Sequence, residues 1–126
     1  FVKTIWHLLE VKEELEIVND QFGQPTNAND LAQAVMNIVE KQTKTYGIFH
    51  FSNYPETTWF NFAQKIADFS GSKIKLNPIK TSEFPTAAKR PKRSTMSLDK
   101  IEEVYKIEPK YWQNSLEECI QILQKS

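Results

Sequence analysis

Three apolar runs could form strands, at 14–20, 47–53 and 73–79. Each is separated from the next by a segment whose apolar residues recur every three to four positions. This alternation constrains the fold more than any other feature. A helix between two strands returns the chain to the edge it left, so consecutive strands run parallel. The expected class is therefore α/β, with about three strands, mainly parallel, and five or six helices. A sheet of three strands is thin, and an arrangement of this kind is expected to lean on a further domain.

Local signals set the expected boundaries. Residues 1–12 have Phe1, Ile5, Leu8 and Leu9 at helical spacing, with no capping residue ahead of them. A helix with no start signal is expected to have been cut from a longer chain. Asn29 or Asp30 can cap a second helix to about residue 42, with Asp30 and Gln33 spaced as a capping box. Its inward stripe is expected at Leu31, Ala34, Val35, Ile38 and Val39. Thr57 or Thr58 can cap a third helix, whose buried stripe would hold Trp59, Phe62, Ala63, Ile66 and Ala67, and Gly71 would end it. The run KIKLNPI alternates charged and apolar residues, and Pro78 places it at a sheet edge. A loop at 81–96 leads to a short helix capped by Ser97, with Leu98, Ile101, Val104 and Tyr105 inward. Pro109 suits the first turn of a last helix, lined by Trp112, Leu116, Cys119, Ile120 and Leu123.

Several chemistries are excluded. The three glycines stand at 23, 47 and 71, too far apart for a G-x-G-x-x-G fingerprint or a phosphate loop. Sixteen basic residues balance sixteen acidic ones, so there is no general pull toward nucleic acid or an anionic membrane. One cysteine, on an apolar helix stripe, allows no internal disulfide and points to a reducing compartment, the cytoplasm. With one cysteine and two separated histidines no metal site is expected. His50 alternates with Phe49 and Phe51 as a surface strand residue would, and nothing marks a carboxylate pair for acid–base work.

Two stretches stand apart. In DQFGQPT (20–26), Gly23 allows an unusual backbone angle or a close approach, while Pro25 stiffens the chain. A rigid loop between a strand end and a helix start is where open α/β sheets bind ligands; the plainer reading is a stiff connection. In AAKRPKRSTMSLDK (87–100), Lys89, Arg90, Lys92 and Arg93 fall within five residues and precede the hydroxyls of Ser94, Thr95 and Ser97. A solvated basic loop and a grip on a diphosphate both fit. A nucleic-acid contact lacks the second basic patch it would need.

Taken in order and at this spacing, FVKT, VNDQFGQPTNANDLA, GIFHFSN, TTWFNFAQKI and KIKLNPIKTSEFPTAAKRPKRSTMSLDKI resemble the C-terminal part of the dTDP-4-dehydrorhamnose reductase family, extended short-chain dehydrogenases/reductases. The resemblance covers essentially the whole chain. It implies a Rossmann-like parent enzyme whose N-terminal domain binds NADPH and supplies a catalytic tyrosine and lysine. The C-terminal part would close over the dTDP-sugar, whose C4 ketone is reduced. The Tyr-x-x-x-Lys motif is missing: the residues four after Tyr46, Tyr54, Tyr105 and Tyr111 are His50, Thr58, Pro109 and Ser115. No catalytic and no cofactor-binding residue carries over, and residues 1–126 alone are expected to bind substrate without turning it over. The resemblance implies substrate contacts at Gln21, Gly23, Pro25 and Thr26, a phosphate contact at Arg90, and supporting contacts at Lys89 and Ser94. Trp59 matches the family's S/T-W pattern, though its spacing places it in the core, and Met96 stands where the family more often has leucine.

The N-terminal Rossmann domain of the parent would be the chain's main partner, with no nucleic acid and no membrane. A homodimer is compatible with the sequence. Alternatives of other classes stay open: a reductase or epimerase for another sugar nucleotide, or a non-catalytic, partner-binding member of the same fold family, such as the regulatory subunit of methionine adenosyltransferase.

Overall fold

The computed structural model describes residues 1–126 as five α-helices, a parallel strand pair and a short antiparallel pair. Helix α1 (Val2–Val11) leads directly into β1 (Glu14–Val18), whose alternating burial reflects the ELEIV pattern. β1 pairs in parallel with β4 (Lys75–Ile79), placing Leu15 beside Leu76 and Ile17 beside Pro78. The crossover between them contains β2 (Phe22–Gly23), α2 (Ala28–Lys41), β3 (Thr57–Thr58) and α3 (Trp59–Ser70). Pro78 cannot donate to a ladder, which its edge position tolerates. Helices α4 (Asp99–Tyr105) and α5 (Trp112–Gln124) follow a 3₁₀ turn at Thr81–Glu83.

The main core joins four elements. Ile5 and Leu9 of α1, Leu15 and Ile17 of β1, Phe62, Ala63, Ile66 and Ala67 of α3, and Trp112, Leu116 and Ile120 of α5 pack together. Ala63 and Ala67 alternate with Phe62 and Ile66, letting α3 lie close to its neighbours. Thr58 caps α3, its hydroxyl accepting from the Asn61 amide, and Gly71 closes the helix at φ 74°. A smaller cluster of Ala34, Ile101, Tyr105 and Ile107 joins α2 to α4.

Several local expectations are corrected. The run 47–53 forms no strand. Phe49 and Phe51 pack against the smaller cluster, and no extended neighbour is there to complete a ladder until Tyr54, which bridges to Tyr111. Helix α2 is capped by Asn27, not by Asn29 or Asp30, and Gln33 bonds Asn37 instead of forming a capping box. Of its expected inward stripe, Ala34 is buried, whereas Leu31, Val35 and Val39 are exposed, because α2 packs on the small cluster along a narrow line. Val104 is likewise exposed, Leu98 rather than Ser97 is the cap position of α4, and Pro109 precedes α5, held extended by the pairing of Tyr111 with Tyr54.

Candidate functional site

The two stretches singled out in the sequence meet. β2 lies antiparallel to β3, with Phe22 opposite Thr58 and Gly23 opposite Thr57. On its other side runs the basic segment: the Phe22 amide donates to the Lys92 carbonyl and the Ser94 amide to the Phe22 carbonyl, both at 2.9 Å. Gly23 serves close approach and not a positive φ, which in this chain's glycines is confined to Gly47 and Gly71. A Cβ on Gly23 would stand 2.9 Å from the Ser94 hydroxyl oxygen. Gln24 completes the junction with both ends of its amide, accepting from the Met96 amide at 2.9 Å and donating to the Met96 carbonyl at 3.2 Å.

Charge sorts the basic segment into engaged and free cations. The Arg93 guanidinium lies 3.1 Å from the Glu56 carboxylate and over the Phe22 ring, 5.2 Å from its centroid. Thr95 also donates to the Glu56 carboxylate. Lys89, Arg90 and Lys92 are exposed and make no ion pair. Gln21 is half-buried, and its amide nitrogen donates to the Thr81 hydroxyl at 3.2 Å. Asp20 accepts from the Thr81 hydroxyl and from its amide. The Thr81 hydroxyl bond holds the Asp20 carboxyl below the usual range against a smaller opposing effect of burial. The hydroxyls of Ser94 and Thr26 bond the carbonyls of Phe22 and Gln24. Among the expected contacts, then, Lys89 and Arg90 present free charge, while Gln21, Gly23, Thr26 and Ser94 shape the backbone around it.

Beside this junction opens a groove of about 780 Å³, walled on one side by Gln24, Pro25, Thr26 and Asn27. The other wall is apolar: Phe1, Trp59, Phe62, Trp112 and Leu116. The size lies within the range of small-ligand pockets, about 300–1,000 Å³. The Phe1 and Trp59 rings are 4.9 Å apart, and Trp59 is 37% exposed. The expectation that Trp59 belongs to the core is therefore corrected: it starts the α3 stripe one turn ahead of Phe62 and overhangs the core's edge. Sequence reasoning missed this wall because its residues come from α3, α5 and Phe1 at the head of α1, whose convergence no local pattern reveals. Gln24 is common to the groove and the basic junction, so one loop serves both.

No three His, Cys, Asp or Glu side chains converge to hold a metal ion. No helix is long and apolar enough to cross a membrane.

The family model described as the RmlD substrate binding domain matches residues 1–125. A dTDP-4-dehydrorhamnose reductase from Aggregatibacter actinomycetemcomitans is 38% identical over 126 residues, an alignment that covers 92% of this chain and 43% of the relative. The crystal structure of a dTDP-4-dehydrorhamnose reductase from Clostridium acetobutylicum superposes with a TM-score of 0.91 at 38% identity, covering 98% of this chain and 44% of that one. The reductase from Bacillus anthracis, solved in complex with NADP, gives a TM-score of 0.88 at 35% identity over 94% of this chain and 41% of its own. The chain thus spans less than half the length of these relatives. It belongs to the RmlD substrate-binding domain family.

Proposed function

From that membership we propose that residues 1–126 are the sugar-nucleotide-binding part of a cytoplasmic, NADPH-dependent dTDP-4-dehydrorhamnose reductase, which reduces the C4 ketone of dTDP-4-dehydro-L-rhamnose to give dTDP-L-rhamnose. The observation that carries this reading is the junction of DQFGQPT with the basic segment beside an aromatic groove. In this reading the groove takes the nucleoside, its base against Phe1 and Trp59. Lys89 and Arg90 meet the diphosphate, Arg90 through its planar fork. Gln21, Gly23, Pro25, Thr26 and Ser94 shape the loop between the two ends.

The chain's residues do not fit the cofactor. A pyrophosphate cradle needs glycines close together at a strand-to-helix turn. The structure instead uses Gly23 for strand contact, Gly47 in an irregular segment and Gly71 to end α3. NADPH and the proton-donating groups therefore belong to the part of the longer relatives outside the match, and this chain contributes binding and orientation.

Titration with dTDP, followed by tryptophan fluorescence, to which Trp6 contributes beside the groove residues Trp59 and Trp112, tests the reading. Saturable quenching by dTDP, weaker binding of thymidine and still weaker binding of inorganic diphosphate are expected. A longer chain containing these residues and an N-terminal Rossmann domain should oxidise NADPH on dTDP-4-dehydro-L-rhamnose, and residues 1–126 should not. Absence of dTDP binding, or equal binding of inorganic diphosphate and dTDP, would overturn the assignment of the groove.

A further inference from the structure

Beneath the polar wall of the groove lies a buried set of hydrogen-bonding groups. Asn53 is 0% exposed, Ser115 2% and Asp30 9%. The Asn53 carbonyl oxygen accepts from the Asn27 backbone amide at 2.7 Å, and its nitrogen donates to the Asp30 carboxylate at 2.8 Å and to the Ser115 hydroxyl at 3.3 Å. Ser115 donates its hydroxyl to the same carboxylate oxygen. The Lys110 ammonium stands 3.2 Å from the other oxygen. Asn27 is bound a second time, its side-chain nitrogen donating to the Ser115 carbonyl at 3.1 Å. The set joins four chain segments: the loop at 24–27, the first turn of α2, the segment at 52–53, and the first turn of α5.

Burying a carboxylate in so small a protein costs stability unless its partners compensate, and apolar packing of equal volume often serves stability as well or better. What apolar packing lacks is direction. Each bond here has one donor and one acceptor, so together they admit one placement of Asn27 relative to α5. Pro25 and Thr26, immediately ahead of Asn27, line the groove together with Trp112, Ser115 and Leu116 of α5. The width of the groove is therefore set by where Asn27 is held.

We propose that Asp30, Asn53 and Ser115 are positioning residues for the ligand: their bonds to Asn27 and to one another hold the Gln24–Asn27 wall at a fixed distance from the aromatic wall, Asn53 and Ser115 bordering the groove and Asp30 lying behind them. This rests on the sugar-nucleotide reading given above.

Exchange of the two central side chains tests it. Asn53→Asp sets two carboxylates against each other, and Asp30→Asn turns an amide NH₂ toward either the Asn53 amide or the Lys110 ammonium. The double variant, Asp30→Asn with Asn53→Asp, restores a donor opposite an acceptor between residues 30 and 53 and at Ser115, giving up only the long 3.4 Å bond from residue 53 to the Lys110 carbonyl, and keeps the net charge. Two quantities are read on protein shown to be folded by circular dichroism: hydrogen exchange at the Asn27 amide without ligand, and the Kd for dTDP. Each single variant should speed Asn27 exchange and weaken dTDP binding by about tenfold, the scale of one lost buried hydrogen bond. The double variant should return both to within about threefold of the unsubstituted protein, as a coupled pair requires. Unchanged Asn27 exchange in the single variants would overturn the proposal. So would faster exchange with an unchanged Kd, which would leave the set a purely structural role. If the unsubstituted protein binds no dTDP, the sugar-nucleotide reading falls. The positioning role then falls with it, even where Asn27 exchange follows the swap.

Discussion

Gly23→Ala tests the claim that the glycine serves close approach. The added methyl would lie 2.9 Å from the Ser94 hydroxyl oxygen, about 0.5 Å inside ordinary van der Waals contact. Two responses are open to the protein. Ser94 can rotate, giving up its 3.3 Å bond to the Phe22 carbonyl, which is exposed and contributes about 0.5–1 kcal/mol. Alternatively the basic segment moves off β2, loosening the two backbone bonds at Phe22. Against either stands the narrower unfolded ensemble of alanine, which stabilises by about 0.4–1 kcal/mol where the backbone angles suit it, as they do here because Gly23 has no positive φ. The two effects nearly cancel, so the urea midpoint should shift by less than the equivalent of about 0.5 kcal/mol. The local effect should not cancel: exchange of the Ser94 amide should quicken and dTDP affinity should fall. Adding Ser94→Ala removes the clashing oxygen and should restore protection of the residue-94 amide. A loss of more than about 2 kcal/mol in the single variant would refute the reasoning, since it would show backbone strain at residue 23. Failure of Ser94→Ala to relieve the effect would refute it too.

Trp59→Ala should weaken dTDP binding by about tenfold, the scale of one aromatic stack, and Trp59→Phe should keep most of the affinity, both read by calorimetry. Arg90→Ala should lower dTDP affinity and reduce its salt dependence while leaving the urea midpoint within about 0.5 kcal/mol, whereas Arg93→Ala should expose the Ser94 amide to exchange. Burial pushes the Asp30 carboxyl up, but the bonds from Ser115 and Asn53 and the Lys110 ammonium outweigh it and hold the group below its ordinary 3.8. Its contribution to stability is therefore present above pH 3.8 and lost as pH falls through the lower folded value. The gap in urea midpoint between the protein and Asp30→Asn should narrow over that acid range, with Asp20 giving both proteins a common acid limb.

What the sequence disclosed and what it hid divide along contact distance. Periodicity located α1, α3 and β4 to within a residue or two because the helices bury a face their own spacing announces and β4 half-buries Leu76 and Ile79. Gly71 and Thr58 act where a glycine and a threonine at helix ends should. The failures arise where a distant residue decides. Asp30 has the spacing of a capping box, yet its carboxylate is drawn to Asn53 and Ser115, 23 and 85 residues away, and Asn27 takes the cap. GIFHFSN has the composition of a strand, but composition supplies no neighbour to pair with. Pro109 would suit a helix start had Tyr111 not been engaged by Tyr54. The candidate site divides the same way. The polar loop and the basic segment were legible because each is contiguous, while the aromatic wall is assembled from Phe1 and two helices distant in sequence.

The balance of sixteen positive and sixteen negative side chains hides how the charges are arranged around the groove. A 14-residue helix begins there, and a helix N-terminus ordinarily attracts an anion. In α2 that attraction is already answered by the Asp30 carboxylate in its first turn, with Lys110 beside it. A diphosphate placed at α2 would meet a buried negative charge. Along the basic segment, Arg93 is engaged with Glu56 and fixes the strand contact, leaving Lys89 and Arg90 free on the adjacent loop. The apolar wall of Phe1 and Trp59 offers a charged group nothing and a base a surface to stack on. Under the proposed sugar-nucleotide reading, the expected orientation of a nucleoside diphosphate has its base in the groove and its phosphates at Lys89 and Arg90, with Gln24 between the two ends. Removing the phosphates should therefore cost the affinity that depends on salt and leave the part that depends on Trp59, and a ligand bound in the opposite sense would reverse that partition.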